Sequence, residues 1–133
     1  MVITKITIFE LNQTYMKETD LRELDNLRVI MYYFKSPDIK ISQILYFSDN
    51  RLVFEGYDIG KRVKEAFGDS DYEYDFEVHE EEVRKFYPLF NLTPGDKKGL
   101  LLKLYERFAG NYAYSQICDF MKENGINSKG FSW

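Results

Sequence analysis

The chain has 133 residues, of which 44% are hydrophobic and 30% charged, and its formal net charge is −4. This length and composition fit a single globular domain over residues 1–133 and exclude a disordered or fibrous chain. No apolar run reaches the roughly 20 residues that cross a bilayer, the start lacks the features of a secretory signal, and one cysteine cannot form an internal disulfide. We therefore expect a cytoplasmic protein without a membrane partner.

The acidic side chains are concentrated in one segment. Residues 69–82 hold eight carboxylates and neither Lys nor Arg, which leaves 14 acidic against 18 basic side chains elsewhere. Summed charge governs association with charged partners and says little about the fold. The segment therefore indicates the chemistry of a partner rather than an architecture.

The first part of the chain reads as strands. Residues 2–11 alternate β-branched and polar side chains, which predicts a strand, and residues 12–26 are polar and predict mostly loop. Residues 28–35 are β-branched and aromatic and end before Pro37, so they predict a second strand.

A hairpin and a short helix are expected next. Residues 43–47 and 51–55 are apolar runs separated by Ser-Asp-Asn, and Asp and Asn tolerate the positive φ of tight hairpin turns. Asp58 then stands where it could cap a short helix, whose apolar positions follow helical spacing up to Gly68.

Residues 71–78 alternate with a period of two. In an extended backbone the two kinds of side chain fall on opposite faces. We predict a strand whose aromatic face packs inward and whose acidic face is in water. The first face comprises Tyr72, Tyr74, Phe76 and Val78, and the second comprises Asp71, Glu73, Asp75 and Glu77.

Helical spacing dominates the remainder. It predicts helices over residues 79–90, over residues 96–109 and around residues 114–121, the last ending at a glycine cap at Gly125, with a short extended piece over residues 131–133. Strands first and helices afterwards predict an α+β fold. We expect an antiparallel sheet of about five strands with about four helices, mostly C-terminal, packed on one face.

The sequence is similar to two ligand-binding motifs but matches neither of them. Residues 69–80 place acids at several positions of a calcium loop, but Tyr74 stands where that loop turns on glycine. Residues 56–62 are one residue short of a phosphate-binding loop and lack its magnesium-binding hydroxyl. We therefore predict no metal and no cofactor. Asp58, Gly60 and Lys61 remain candidates for binding a small ligand or anion at a helix start.

No catalytic constellation is evident. Nucleophilic catalysis would need a base beside Cys118, which shares an apolar helical face, and the only histidine, His79, stands at a strand-to-helix junction. Paired carboxylates for acid/base chemistry stay open, because the sequence does not show which acids face each other. Dispersed basic residues disfavour nucleic-acid binding. The sequence therefore favours a non-enzymatic protein over an enzyme.

Four pieces of the sequence carry a resemblance: residues 55–60 (EGYDIG), 68–74 (GDSDYEY), 120–126 and 131–133. Together they resemble a pattern found in a group of small uncharacterised bacterial cytoplasmic proteins. The resemblance implies a bacterial cytoplasmic origin and assigns no catalytic residues. In size, acidity and lack of catalytic residues the chain is also similar to immunity proteins that neutralise secreted toxins.

The leading functional hypothesis is a non-enzymatic protein-binding module. Its acidic, Tyr-rich strand would engage a basic protein partner, of which a toxin nuclease is the most concrete version. The alternatives are a small hydrolase with paired carboxylates, a small-ligand or ion-binding protein, and a solvated face that only prevents aggregation of the sheet. The partner-binding residues of the leading hypothesis are Asp69, Asp71, Glu73, Asp75 and Glu77.

Overall fold

The structure is a computed structural model that describes residues 27–60 and 71–132. Its strands are β1 (Arg28–Lys35), β2 (Ile39–Ser48), β3 (Arg51–Gly60), β4 (Asp71–Val78) and β5 (Lys129–Ser132). Between β4 and β5 lie the helices α1 (Glu80–Val83), α2 (Phe86–Leu89), α3 (Lys97–Phe108) and α4 (Ala113–Glu123). The predicted α+β class is confirmed.

The strands form one antiparallel sheet in the order β1-β2-β3-β4-β5. One face of this sheet packs against the helices, since inward side chains such as Phe54 and Phe76 belong to the same buried cluster as Leu101 and Ile117 of α3 and α4. We call the opposite side the outer face. The sheet therefore has the expected number of about five strands. Four of them correspond to predicted strands, and the fifth is β5 near the C-terminus, where a short extended piece was expected. The predicted strand over residues 2–11 and the loop after it lie outside the described residues.

The predicted hairpin is confirmed as β2 and β3, which pair from Ile39–Gly60 to Ser48–Arg51. Asp49 in the two-residue turn has a φ of 56°. A short polar side chain tolerates this left-handed conformation. The Nζ of Lys97 donates to the Asp49 carbonyl at 3.2 Å and to Asn50 Oδ1 at 2.7 Å, so the turn is tied to the start of α3.

The helix predicted to begin at Asp58 is wrong at its start, because residues 58–60 are the last part of β3. Asp58 pairs with Tyr72, and Gly60 pairs with Ile39. Strands on both sides give the backbone its hydrogen-bond partners, and this outweighs the local helical pattern. Gly60 has a φ of 141°, which favours glycine. Residues 61–68 of the predicted helix lie outside the described residues.

The helix predicted over residues 79–90 is interrupted. It forms two short helices, α1 and α2, with a turn at Arg84 and Lys85. Pro88 explains the break, since it has no N–H to donate to the Arg84 carbonyl and its ring would clash with that group in a continuous helix. If α1 and α2 are counted as one interrupted helix, the described residues contain three helices, whereas about four were predicted.

The end of α4 confirms the predicted glycine cap. Gly125 has a φ of 68°, and the amide of Ile126 donates to the Met121 carbonyl at 2.9 Å. This bond across the last turn is typical of helices that end on a left-handed glycine. Ile126 is buried, so the chain folds back onto the core and is directed into β5.

Candidate functional site

The alternation of β4 is realised in the structure. Tyr74, Phe76 and Val78 are buried in the core, whereas the Asp71 and Glu73 side chains are exposed on the outer face. The strand pairs with β3 on one side and with β5 on the other, which holds its backbone extended. The predicted separation of rings from carboxylates is therefore confirmed for residues 71–78.

Strand pairing adds a further acid to this face. Glu55 of β3 lies directly opposite Asp75, and Tyr57 lies opposite Glu73. Glu55 was not among the predicted partner-binding residues. The sequence signal that could have indicated Glu55 is its outward position in the predicted hairpin strand. Its pairing with Asp75 depends on the register of the sheet, which one sequence does not specify.

A shallow hollow of about 370 Å³ lies on the outer face between β2, β3 and β4. The floor is formed where Gly56 pairs with Tyr74, since Gly56 has no side chain and the Tyr74 ring lies on the inner side of the sheet. Residues on either side of the floor form the walls. We call this hollow the acidic depression; it is lined by Ser42, Ile44, Glu55, Gly56, Tyr57, Glu73, Tyr74 and Asp75.

The carboxylates of the depression are close enough to repel one another. Glu55 and Asp75 occupy directly paired positions, and Glu73 stands two residues from Asp75, about 7 Å along the strand. Like charges at such positions destabilise a sheet. A cation seated between them would relieve this repulsion.

A tyrosine hydroxyl positions one of these acids. Tyr46 donates a hydrogen bond of 2.7 Å to Glu55 Oε2. Burial, together with this bond and the nearby carboxylate, raises the pKa of Tyr46 to about 12. The hydroxyl therefore keeps its proton at neutral pH and remains a donor to Glu55.

The predicted partner-binding acidic residues do not all lie in the acidic depression. The Glu77 carboxylate forms a salt bridge with the Arg51 guanidinium, so its charge is offset within the chain. Asp71 lies at the start of β4, beyond the depression, and Asp69 lies outside the described residues. The depression thus combines two predicted residues, Glu73 and Asp75, with one that was missed, Glu55.

Two of the candidate ligand-binding residues, Asp58 and Gly60, do not lie at a helix start. Asp58 lies on the core side of β3, where the Tyr74 hydroxyl donates to its Oδ1 at 2.7 Å. Burial raises the pKa of Asp58, and the hydrogen bond from Tyr74 opposes this rise. Asp58 and Gly60 belong to a paired strand rather than to a helix start, and Lys61 lies outside the described residues.

The two candidates for nucleophilic chemistry occupy positions that the fold explains. His79 precedes α1, and its backbone carbonyl, not its side chain, accepts the first hydrogen bonds of that helix. Cys118 is partly buried beside Tyr114, and burial raises the pKa of its thiol. Within residues 27–60 and 71–132, no group of three His, Cys, Asp or Glu residues is arranged to hold a metal ion.

In the described strands, Glu55 and Asp75 are the one directly paired set of carboxylates. Of the helices in the described part of the chain, none has the length and apolar character to span a membrane.

Comparisons of the chain with protein-family models, with curated proteins and with solved structures found no match.

Proposed function

We propose that the protein is a non-enzymatic binding protein that engages a basic protein partner through the acidic depression. The observation that carries this proposal is the convergence of Glu55, Glu73 and Asp75 around one hollow on an outer face where none of the β2–β4 side chains is buried. The lining of this hollow contains three acidic side chains and neither lysine nor arginine, a composition that favours a positively charged occupant.

The side chain best suited to the depression is an arginine or lysine of the partner. Carboxylates accept several hydrogen bonds each and pair with the planar guanidinium in a bidentate manner. Tyr57 adds an aromatic ring to the wall, and such rings attract cations by up to about 1 kcal/mol at exposed sites. Ile44 supplies apolar surface for the aliphatic part of the same side chain.

The most concrete form of this function is an immunity protein that blocks a toxin nuclease. A nuclease binds phosphate groups through clustered Lys and Arg side chains. An acidic face presents carboxylates to the same cations, so it would compete with nucleic acid for that surface. The fast association that complementary charge provides suits a protein that must capture a toxin before it acts.

The proposal is tested by capture from a lysate of the native host with two immobilised variants that carry the same net charge. The site variant combines Glu55→Gln, Glu73→Gln and Asp75→Asn, whereas the control combines Glu81→Gln, Asp119→Asn and Glu123→Gln at exposed positions of α1 and α4. We expect the wild type and the control to retain a basic protein that the site variant loses. Equal capture by both variants would contradict the proposal.

A further inference from the structure

An irregularity in β1 directs two further side chains to the outer face. The register of β1 against β2 shifts after Ile30, which leaves one extra residue in β1. A shift of this kind exchanges the faces to which the following side chains point. Tyr33 therefore pairs with Ser42 on the outer face, where it is 54% exposed. Lys35 pairs with Lys40 on the same face, and both lysines are exposed.

The outward charges of β1 to β4 are separated by sign. The outward side chains of β1 and β2 include three bases and no acid, and we call this part of the face the basic half: Arg28, Lys35 and Lys40. Those of β3 and β4 include Glu77, which is paired with Arg51, and four further acids. We call these four the acidic half: Glu55, Asp71, Glu73 and Asp75.

Apolar side chains lie on the outer face between these charges. Ile30 and Ile44 are directly paired across β1 and β2. Val53 and Ile59 lie on β3, opposite outward side chains of β2. All four are partly exposed. Removing such surface from water is favourable by about 25 cal/mol per Å², so the face has an apolar component as well as charges.

Each half contains two like charges at directly paired positions. Lys35 lies opposite Lys40 in the basic half. Glu55 lies opposite Asp75 in the acidic half. Like charges directly opposite each other destabilise a sheet, and a surface of the other sign relieves the repulsion. Since one molecule carries both signs side by side, its outer face is complementary to the outer face of a second copy.

We propose that the free protein forms a two-fold symmetric dimer through its outer face, with the basic half of each copy against the acidic half of the other. A two-fold interface uses the same surface on both copies. An axis parallel to the strands, above the gap between β2 and β3, places β1 over β4 of the second copy. Lys35 then meets Asp71 and Glu73, since strand pairing sets Lys35 level with Asp71. An axis across the strands would place like charges together.

The size of the face sets the strength of this dimer. Strands β2 and β3 have 10 residues each, so four strands offer a surface about 30 Å long and about 19 Å wide. Covering most of it on both copies buries about 1,000 Å² in total, the lower limit for a specific interface. The dimer is therefore weak. It does not depend on the proposed function, and a basic partner at the acidic depression would displace the second copy.

The first test is sedimentation velocity of the full chain over a series of protein and salt concentrations. We expect monomers at low concentration, dimers as the concentration rises toward about 1 mM, and fewer dimers as salt screens the charges. No partner protein is needed, so this result is separate from the test of the proposed function. A chain that stays monomeric throughout, or a dimer that salt does not weaken, would overturn the inference.

The second test exchanges the charges of the two halves. The acidic variant combines Lys35→Glu and Lys40→Glu, so both of its halves carry acids. The basic variant combines Asp71→Lys and Glu73→Lys at the positions that face those lysines. Each variant alone should self-associate at least about tenfold more weakly than wild type. An equimolar mixture of the two should dimerise again, because each introduced charge meets one of the other sign.

The control combines Asp119→Lys and Glu123→Lys at exposed positions of α4, which changes the net charge as much as the basic variant does. It should dimerise at least as well as wild type. Variants that dimerise like wild type on their own, or a mixture that stays monomeric, would refute this arrangement. Circular dichroism checks that each variant is folded, and the salt series on wild type decides the question independently of the variants.

Discussion

At the scale of single residues, Tyr74 determines how β3 and β4 fit together. Its ring occupies the space that a side chain at position 56 would need, and its hydroxyl reaches Asp58 two residues further along β3. These three residues come from two separate pieces of the sequence pattern described above, EGYDIG and GDSDYEY. The pieces contact each other in the fold, so packing accounts for the identities of Gly56, Asp58 and Tyr74.

Substitution of Gly56 by alanine should be destabilising. The new methyl group would meet the Tyr74 ring, and overpacking of this kind costs about 1–3 kcal/mol in the free energy of unfolding. Urea denaturation measures the effect. In a Tyr74→Ala background the collision is absent, so Gly56→Ala should cost less there. An equal cost in both backgrounds would show that the ring is not the cause.

Asp58 should make stability depend on pH. Since burial raises its pKa in the folded state above the ordinary value of 3.8, the folded protein holds this proton more tightly than the unfolded chain. Its contribution is fully present below the unfolded pKa and is lost as the pH rises through the folded pKa. Asp58→Asn keeps an acceptor for the Tyr74 hydroxyl and removes this titration.

The measurement is urea unfolding of wild type and Asp58→Asn over a pH series. The variant should gain stability relative to wild type as the pH rises from below 3.8 toward neutrality. Asp119→Asn, at an exposed position of α4, is the control for a carboxylate in solvent. A difference between Asp58→Asn and wild type that stays constant with pH would refute the role given to burial.

At the scale of elements, β4 gains stability from one face and loses some at the other. Its aromatic side chains meet in the core, where Tyr114 of α4 lies 5.1 Å from the Tyr74 ring and 5.9 Å from the Phe76 ring, centroid to centroid. Ring pairs at these distances stabilise beyond the area that they bury. On the outer face the carboxylates repel, which stability measurements on single variants can resolve.

Neutralising one acid of the depression should stabilise the free protein. We expect Glu73→Gln to raise the free energy of unfolding by about 0.2–1 kcal/mol at low salt, and the gain should shrink as salt screens the repulsion. Glu77→Gln is the matched comparison. It should give no such gain, because Glu77 is already paired with Arg51. A gain for Glu73→Gln that is independent of salt would argue against charge repulsion.

The end of α4 allows a prediction about backbone conformation. Gly125 adopts a φ of 68°, which costs a side chain with a Cβ about 1–2 kcal/mol. Gly125→Ala should lower the thermal unfolding midpoint accordingly, and Gly125→Asn should lower it less, because asparagine tolerates this conformation better. Equal midpoints for the alanine and asparagine variants would show that the left-handed cap does not limit this position.

The elements that could be predicted from sequence are those with local signals. Alternation predicted the strand over residues 71–78, short polar residues predicted the hairpin turn, and Gly125 predicted the end of α4. The continuation of β3 through Gly60 depends on partners in two other strands, which a helical pattern read locally does not reveal. The break before Pro88 did have a local signal, which the helical spacing obscured.

At the scale of the whole molecule, the sheet separates two kinds of chemistry. Its inner face meets the helices in one apolar cluster, and its outer face carries the acidic depression. The sequence predicted the acidic face of β4, because a period of two sorts its side chains. It did not predict that Glu55 joins this face or that Arg51 offsets Glu77, because both depend on the pairing of β3 with β4.

The most direct test of the central claim is the association rate constant of the captured basic protein with wild type and with the two charge-matched variants, measured over a series of salt concentrations. The account predicts that the variant lacking Glu55, Glu73 and Asp75 associates about tenfold more slowly at low salt, with a weaker salt dependence, whereas the control resembles wild type. Equal rates and equal salt dependence for the two variants would contradict it.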